Sequence, residues 1–192
     1  MEFIILGVVG FGLMFGADLC GLHQRCVWRN LLAFFGFAFV FGSSLYILLL
    51  GDTYRLPLFA RIIAGVLSLM FLLLLIYSVL IEVNKKRDIS EKLITTGTYA
   101  LSRHPGVIWF AFYYIFGSIM FANVEILIAG IIWSIINIIY VLLQEKLVFN
   151  KMFENYDLYR ETTPMLWPNV KSIKRCITTM NGGQNERFTS DV

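Results

Sequence analysis

From Glu91 to Gly106 the chain reads Glu-Lys-Leu-Ile-Thr-Thr-Gly-Thr-Tyr-Ala-Leu-Ser-Arg-His-Pro-Gly, and two apolar runs follow, joined only by Phe121-Ala-Asn-Val-Glu125. The second run closes on Gln144-Glu-Lys146, and beyond it stand Tyr156-Asp-Leu-Tyr159 and Pro164-Met-Leu-Trp-Pro168. A polar segment bearing Arg103 and His104 is thus set between runs of membrane grade. The link between the two runs is so short that they are expected to form a tight antiparallel helical hairpin, with Asn123 as a turn residue and Glu125 at the positive end of the next helix. Such a hairpin is expected to bring Arg103 and His104 near Gln144 and Glu145.

The rest of the chain agrees with a membrane setting. It has 192 residues, 58% hydrophobic and only 15% charged, and a mean hydropathy of +0.71. Soluble domains average about 45–50% apolar and about 25% charged residues, so a soluble class is excluded. A spanning helix needs about 20 apolar residues to cross roughly 30 Å of hydrocarbon. Five spans are expected, near residues 3–22, 31–50, 58–83, 105–122 and 125–147. The first has no basic leader and no small-x-small cleavage site before Asp18, so it reads as a retained helix and not a signal peptide. The fold expected is all-α, an integral membrane bundle of five spans with a C-terminal helical hairpin. One domain covers residues 1–170, and a polar tail at 171–192 has the composition of disorder.

Charge sets the orientation. Lys85, Lys86, Arg87, Lys92 and Arg103 lie between spans three and four, and Lys146, Lys151, Arg160, Lys171, Lys174 and Arg175 come after or at the end of the fifth. Only Arg55 and Arg61 mark the loop before span three. The excess of Lys and Arg on cytoplasmic loops then puts the third loop and the C-terminus in the cytoplasm and the N-terminus outside. These basic residues suit topology and contact with anionic lipid; nothing in the pattern points to nucleic acid. His23 reads as solvated in the first cytoplasmic loop. Cys20, Cys26 and Cys176 form neither a disulfide framework nor a metal-type spacing. Gly12 and Gly16, with Gly7 and Gly10 nearby, are candidates for close helix packing. Beyond Leu143 one helical face is expected to run through Gln144, Val148, Met152, Tyr156 and Tyr159.

The order Gly97-Thr-Tyr99, Arg103-His-Pro105, hairpin, Gln144-Glu145, Tyr156-x-x-Tyr159 and Pro164…Pro168 resembles the isoprenylcysteine carboxyl methyltransferase and phospholipid methyltransferase superfamily. The likeness covers about Asn84 to Pro168. It implies an integral membrane enzyme with a cytoplasmic site for S-adenosylmethionine, which transfers a methyl group to a lipophilic or small acceptor such as a prenyl-cysteine, a lipid amine or a thiol. By that resemblance Lys92, Leu93, Ile94, Gly97, Tyr99, His104, Pro105, Gly106, Gln144 and Glu145 hold the cofactor. Arg103 and Glu145 are the catalytic candidates, as positioning and electrostatic groups. Tyr140 and Tyr156 face the acceptor, and no metal is involved.

The residue chemistry stands on its own beside this. S-adenosylmethionine asks for a carboxylate or amide toward its ribose or amine, a cation or backbone N–H donors toward its carboxylate, and apolar walls for adenine. Glu145, Gln144, Arg103, His104, Tyr99, Leu93 and Ile94 supply that inventory, which other nucleotide-like ligands share. Two positions depart from the family pattern. Val107 replaces a tyrosine, and Gln144 replaces the first acid of a Glu-Glu pair. Tyr140 stands where prenyl-cysteine enzymes carry an arginine for the substrate carboxylate. The alternatives are an NADPH-dependent membrane reductase of sterol-reductase type and a non-catalytic membrane relative. The sequence assigns no oligomeric state.

Overall fold

The computed structural model describes residues 2–22, 27–51, 53–83, 93–153 and 155–180. Lys92, His23 and Cys26, and the residues from 181 onward, lie outside these. Among the described residues the chain is helical, with no strand beyond one bridged pair, Thr53 and Asn123. The helices are α1 (Glu2–Gly21), α2 (Trp28–Leu50), α3 (Leu58–Ile76, continued by a π turn at Tyr77–Glu82), α4 (Thr98–Leu101), α5 (Pro105–Phe121), α6 (Val124–Gln144, continued by a π turn at Glu145–Phe149 and by Asn150–Met152), α7 (Tyr156–Thr162) and α8 (Val170–Met180).

Four helices are long and apolar enough to cross a membrane: Glu2–Gly21, Trp28–Leu49, Leu58–Glu82 and Val124–Met152. The fourth expected span, α5, has 17 residues. At roughly 1.5 Å per residue it measures about 26 Å, a little short of the hydrocarbon thickness.

Contacts divide the chain into two compact units. One comprises Met1–Leu72 with Phe110–Met152, the other Leu73–Trp109 with Phe153–Val192. The first has an apolar core of Ile4, Phe11, Val40, Ile47, Tyr114, Ile126, Ala129 and Trp133. Trp133 is fully buried and its indole N–H donates to the Ile4 carbonyl at 2.9 Å. A Cβ on Gly7 would collide with that indole, so the absence of a side chain there admits the ring. Gly10 packs against the Gly36 backbone of α2, while nothing lies within 4 Å of where a Cβ of Gly12 would stand. Close approach therefore uses Gly7 and Gly10, and not the Gly12–Gly16 pair.

The turn between α5 and α6 follows its expected chemistry. Asn123 is buried and caps α6, its Oδ1 accepting from the Ile126 N–H at 2.9 Å. Its Nδ2 also donates to the Ile47 carbonyl at 3.2 Å, which ties the turn to the end of α2. Ala122 takes the left-handed conformation, φ 52°, needed to reverse the chain so abruptly.

Three other expectations are corrected. The helix after Leu143 does not run unbroken to Tyr159: it stops at Met152, and Asn155 adopts φ 62° before α7 begins. Asparagine tolerates that conformation better than most residues. The polar stretch from Lys171 is helical as far as Met180, because Asn169 and Ser172 cap it reciprocally, with Asn169 Oδ1 accepting from Ser172 N at 2.8 Å and Ser172 Oγ from Asn169 N at 3.0 Å. Cys20 is disulfide-bonded, against the reading of three unpaired cysteines, whereas Cys176 is free and buried.

Candidate functional site

In the second unit, the Gly-Thr-Tyr turn is held from three sides. Gly97 has φ 66° and ψ −133°, a region open to glycine and strained for other residues. Its N–H donates to Thr179 Oγ1 of α8 at 3.0 Å. Next, the buried Glu82 carboxylate accepts from the Thr98 N–H at 3.2 Å and from the Thr98 hydroxyl in a shorter contact. A carboxylate on the first N–H of α4 satisfies a donor that has no intrahelical partner. The Tyr99 hydroxyl reaches back to the Ser78 carbonyl at 3.3 Å, in the same π turn that carries Glu82.

The C-terminal motif elements close on the same turn. Tyr159, 2% exposed, donates its hydroxyl to the Tyr99 carbonyl at 2.7 Å. The Arg103 and His104 N–H groups donate to the carbonyls of Pro164 and Met165 at 3.0 and 3.2 Å, and Ser102 Oγ donates to Met165 at 2.7 Å. Arg103-His104 therefore lies alongside the proline segment as a short extended pairing, and Pro105 starts α5 where its missing N–H costs nothing. His104 is buried, 7% exposed, and so is Val107. Gly106 lies against Val79 and Leu75 of the α3 segment, where a Cβ would stand 2.9 Å from a Val79 methyl and force it to shift. Burial pushes the Tyr99 hydroxyl well above its ordinary range, and the neighbouring Glu82 charge adds to that. Tyr99 is thus a neutral donor at any physiological pH.

The first unit holds a second polar cluster. Asp18 of α1 accepts from the Tyr140 hydroxyl in a short contact and from Gln144 Nε2 at 2.9 Å; that amide also lies 3.2 Å from the Tyr140 oxygen. Phe11 and Phe15 place their rings against Tyr140 at centroid distances of 6.4 and 6.2 Å. A groove opens in this unit beside Glu2, Phe3, Tyr46 and Glu125. It sits at the opposite ends of α1 and α6 from Asp18 and Gln144, so it is not the cavity of this cluster.

The residues singled out from the sequence are therefore distributed. Leu93, Ile94, Gly97, Tyr99, Arg103, His104, Pro105, Gly106 and Tyr156 belong to the second unit, and Tyr140, Gln144 and Glu145 to the first. Tyr156 and Glu145 are buried, the latter within a π turn. Among the described residues no cluster of His, Cys, Asp and Glu could hold a metal ion. Asp18 and Glu82 were not anticipated. Each had a visible signal, since an ionisable residue within an apolar run demands a polar partner. Comparison with protein-family models, curated proteins and solved structures finds no match to this chain.

Proposed function

We propose that this protein is an S-adenosylmethionine-dependent membrane methyltransferase, with α5 as a fifth span, the N-terminus outside and the C-terminus cytoplasmic. One observation carries the reading. Gly97-Thr-Tyr99, Arg103-His-Pro105, Tyr156-x-x-Tyr159 and the Pro164 segment are motif elements far apart in sequence, Tyr99 and Tyr159 by 60 residues, yet they hydrogen-bond in pairs, Tyr159 to Tyr99 and Arg103-His104 to the Pro164 segment, within a single compact unit. A merely interfacial Arg-His-Pro would need none of these bonds.

The side chains of that unit fit the cofactor's chemistry. Arg103 offers a cation to its carboxylate, the buried His104 imidazole and the backbone near Gly97 offer polar contacts, and Leu93 and Ile94 offer an apolar wall. When bound, the cofactor supplies an electrophilic methyl group on sulfur. The protein's part is proximity and alignment, which can contribute several kcal/mol, and exclusion of water. Tyr99, neutral and hydrogen-bonded at both its hydroxyl and its carbonyl, fixes the segment that carries Arg103 and His104. The acceptor is a lipophilic or small nucleophile that arrives from the bilayer.

Calorimetry with S-adenosylhomocysteine on the detergent-solubilised protein tests this. Saturable binding in the micromolar range is expected. His104→Ala and Arg103→Ala should weaken it by about 1–3 kcal/mol each, the cost of a hydrogen bond lost to a charged or buried group. No saturable binding up to millimolar ligand would overturn the assignment.

A further inference from the structure

Helix α8 carries three distinct faces. At 100° per residue, Ser172, Cys176 and Thr179 share one side, and Ser172 and Cys176 are buried there while Thr179 receives the Gly97 N–H. Lys171 and Lys174 occupy a second side and are exposed, with the half-buried Arg175 on its inner edge donating to Thr163 Oγ1 at 3.0 Å. The third side is a stripe of Val170, Ile173, Ile177 and Met180, spaced i, i+3, i+7, i+10. A stripe so placed in a soluble helix would face the core. Here it faces outward: Val170 is 70% exposed, Ile177 56% and Met180 59%, and Trp167 just upstream is 73% exposed.

We propose that α8 lies in the plane of the membrane surface, with this stripe among the acyl chains of an anionic leaflet and Lys171 and Lys174 at its headgroups. Charge and continuity select this occupant. Lys174 borders the stripe and Lys171 lies next to it on the polar side, the arrangement of interfacial helices that bind anionic lipid, and tryptophan favours the same depth. The helix is also fixed, through Thr179 and Gly97, to the loop between two apolar segments, Leu73–Glu82 and the start of α5. It therefore stands at the end of membrane-inserted helices. Because α8 also closes over the Gly97 turn, its seat on the lipid braces the segment that bears Tyr99, Arg103 and His104. The lipid seat itself does not depend on the methyltransferase assignment.

The test uses the full chain reconstituted in vesicles of phosphatidylcholine alone or with one-third phosphatidylserine. Nitroxides are attached at Ile177→Cys or at Lys174→Cys, both on exposed faces, and the parent protein treated identically sets the labelling background. In anionic vesicles the label at 177 should be several-fold more accessible to oxygen than to a water-soluble nickel chelate, and the label at 174 the reverse. In phosphatidylcholine the oxygen-over-nickel contrast at 177 should shrink, and the K171E/K174E pair should shrink that contrast at 177 in anionic vesicles too. Equal nickel accessibility at 177 and 174 would overturn the proposal, as would a contrast indifferent to lipid charge. Dipolar broadening between labels at 177 would overturn it in favour of a second copy of the chain.

Discussion

Glu82 and Thr98 meet twice, through the backbone N–H at 3.2 Å and through the hydroxyl. A carboxylate buried at the end of α3 thereby fixes the start of the Gly97–Gly106 segment. Hydrogen bonds to a buried charge contribute about 1.5–3 kcal/mol each. Glu82→Ala should therefore lower the thermal unfolding midpoint in detergent more than Thr98→Ala. The double variant should cost less than the sum, since both remove one contact pair. Additive losses would show that the two residues act independently.

Tyr99 gives a pH signature. Its hydroxyl titrates above the ordinary value of 10 in the folded chain, chiefly through burial and then through Glu82. The folded state thus keeps a proton that the unfolded state releases. Stability from this group is complete below about pH 10 and is lost as pH rises further. Tyr99→Phe should be less stable near neutrality by about 1 kcal/mol, for its lost hydrogen bond, yet should show a shallower decline between pH 10 and 11.5 in denaturant titrations. A decline as steep as the parent's would place the ionising tyrosine elsewhere.

The Asp18 cluster should behave as one unit. Asp18→Ala leaves the Tyr140 hydroxyl and the Gln144 amide without their shared acceptor, at a cost of about 2–3 kcal/mol, whereas Tyr140→Phe should cost about 1. Urea or thermal unfolding of the two single variants and of the pair measures the coupling. Asp18→Asn, which keeps an acceptor oxygen, should recover part of the loss.

At the far end of the hairpin, Asn123→Ala should destabilise by about 1–2 kcal/mol, within the range for lost helix caps, because it also removes the bond to Ile47. Asn123→Asp keeps the cap and should be milder. Equal effects would mean that the Ile47 bond, and not the cap, dominates.

Cys20 connects redox state to orientation. The structure pairs Cys20 in a disulfide, yet under the proposed topology it faces the cytoplasm, where glutathione and thioredoxin keep thiols reduced, so that the bond should be absent in living cells. In expressing cells it should react with a membrane-permeant maleimide and resist an impermeant one. If acid-quenched cells instead yield Cys20 fully oxidised, the N-terminus is cytoplasmic and the lysine-rich third loop is outside.

The four helices long and apolar enough to cross a membrane and the tight turn at Asn123 were legible in the sequence because run length and turn length alone dictate them. Asn123 is the clearest case: a short polar residue between two apolar runs has few other roles. The pairing of Tyr159 with Tyr99, and of Arg103-His104 with the proline segment, could be suspected only from motif order, since no local pattern encodes a contact over such a separation. Glu82 and Asp18 were overlooked because hydropathy reading treats a lone acid in an apolar run as a boundary mark. Helix α8 was missed for a related reason. Its composition is polar on average, and its order comes from two capping bonds and a threonine anchor that composition does not register.

Glu82 and Glu145 share a detail of backbone: each sits in a π turn at the end of a long apolar helix. Such a turn is an α-helix that has taken in one surplus residue. Remove a residue from Tyr77–Glu82 and the widened turn can close as ordinary α with its bonding intact, the helix beyond keeping nearly its original facing while the side chains inside the turn are re-aimed. Hydrophobic length would barely change, while the direction of the acid would change completely. At these two points insertion and deletion, normally the harshest lesions for a helix of fixed length, become a means of steering.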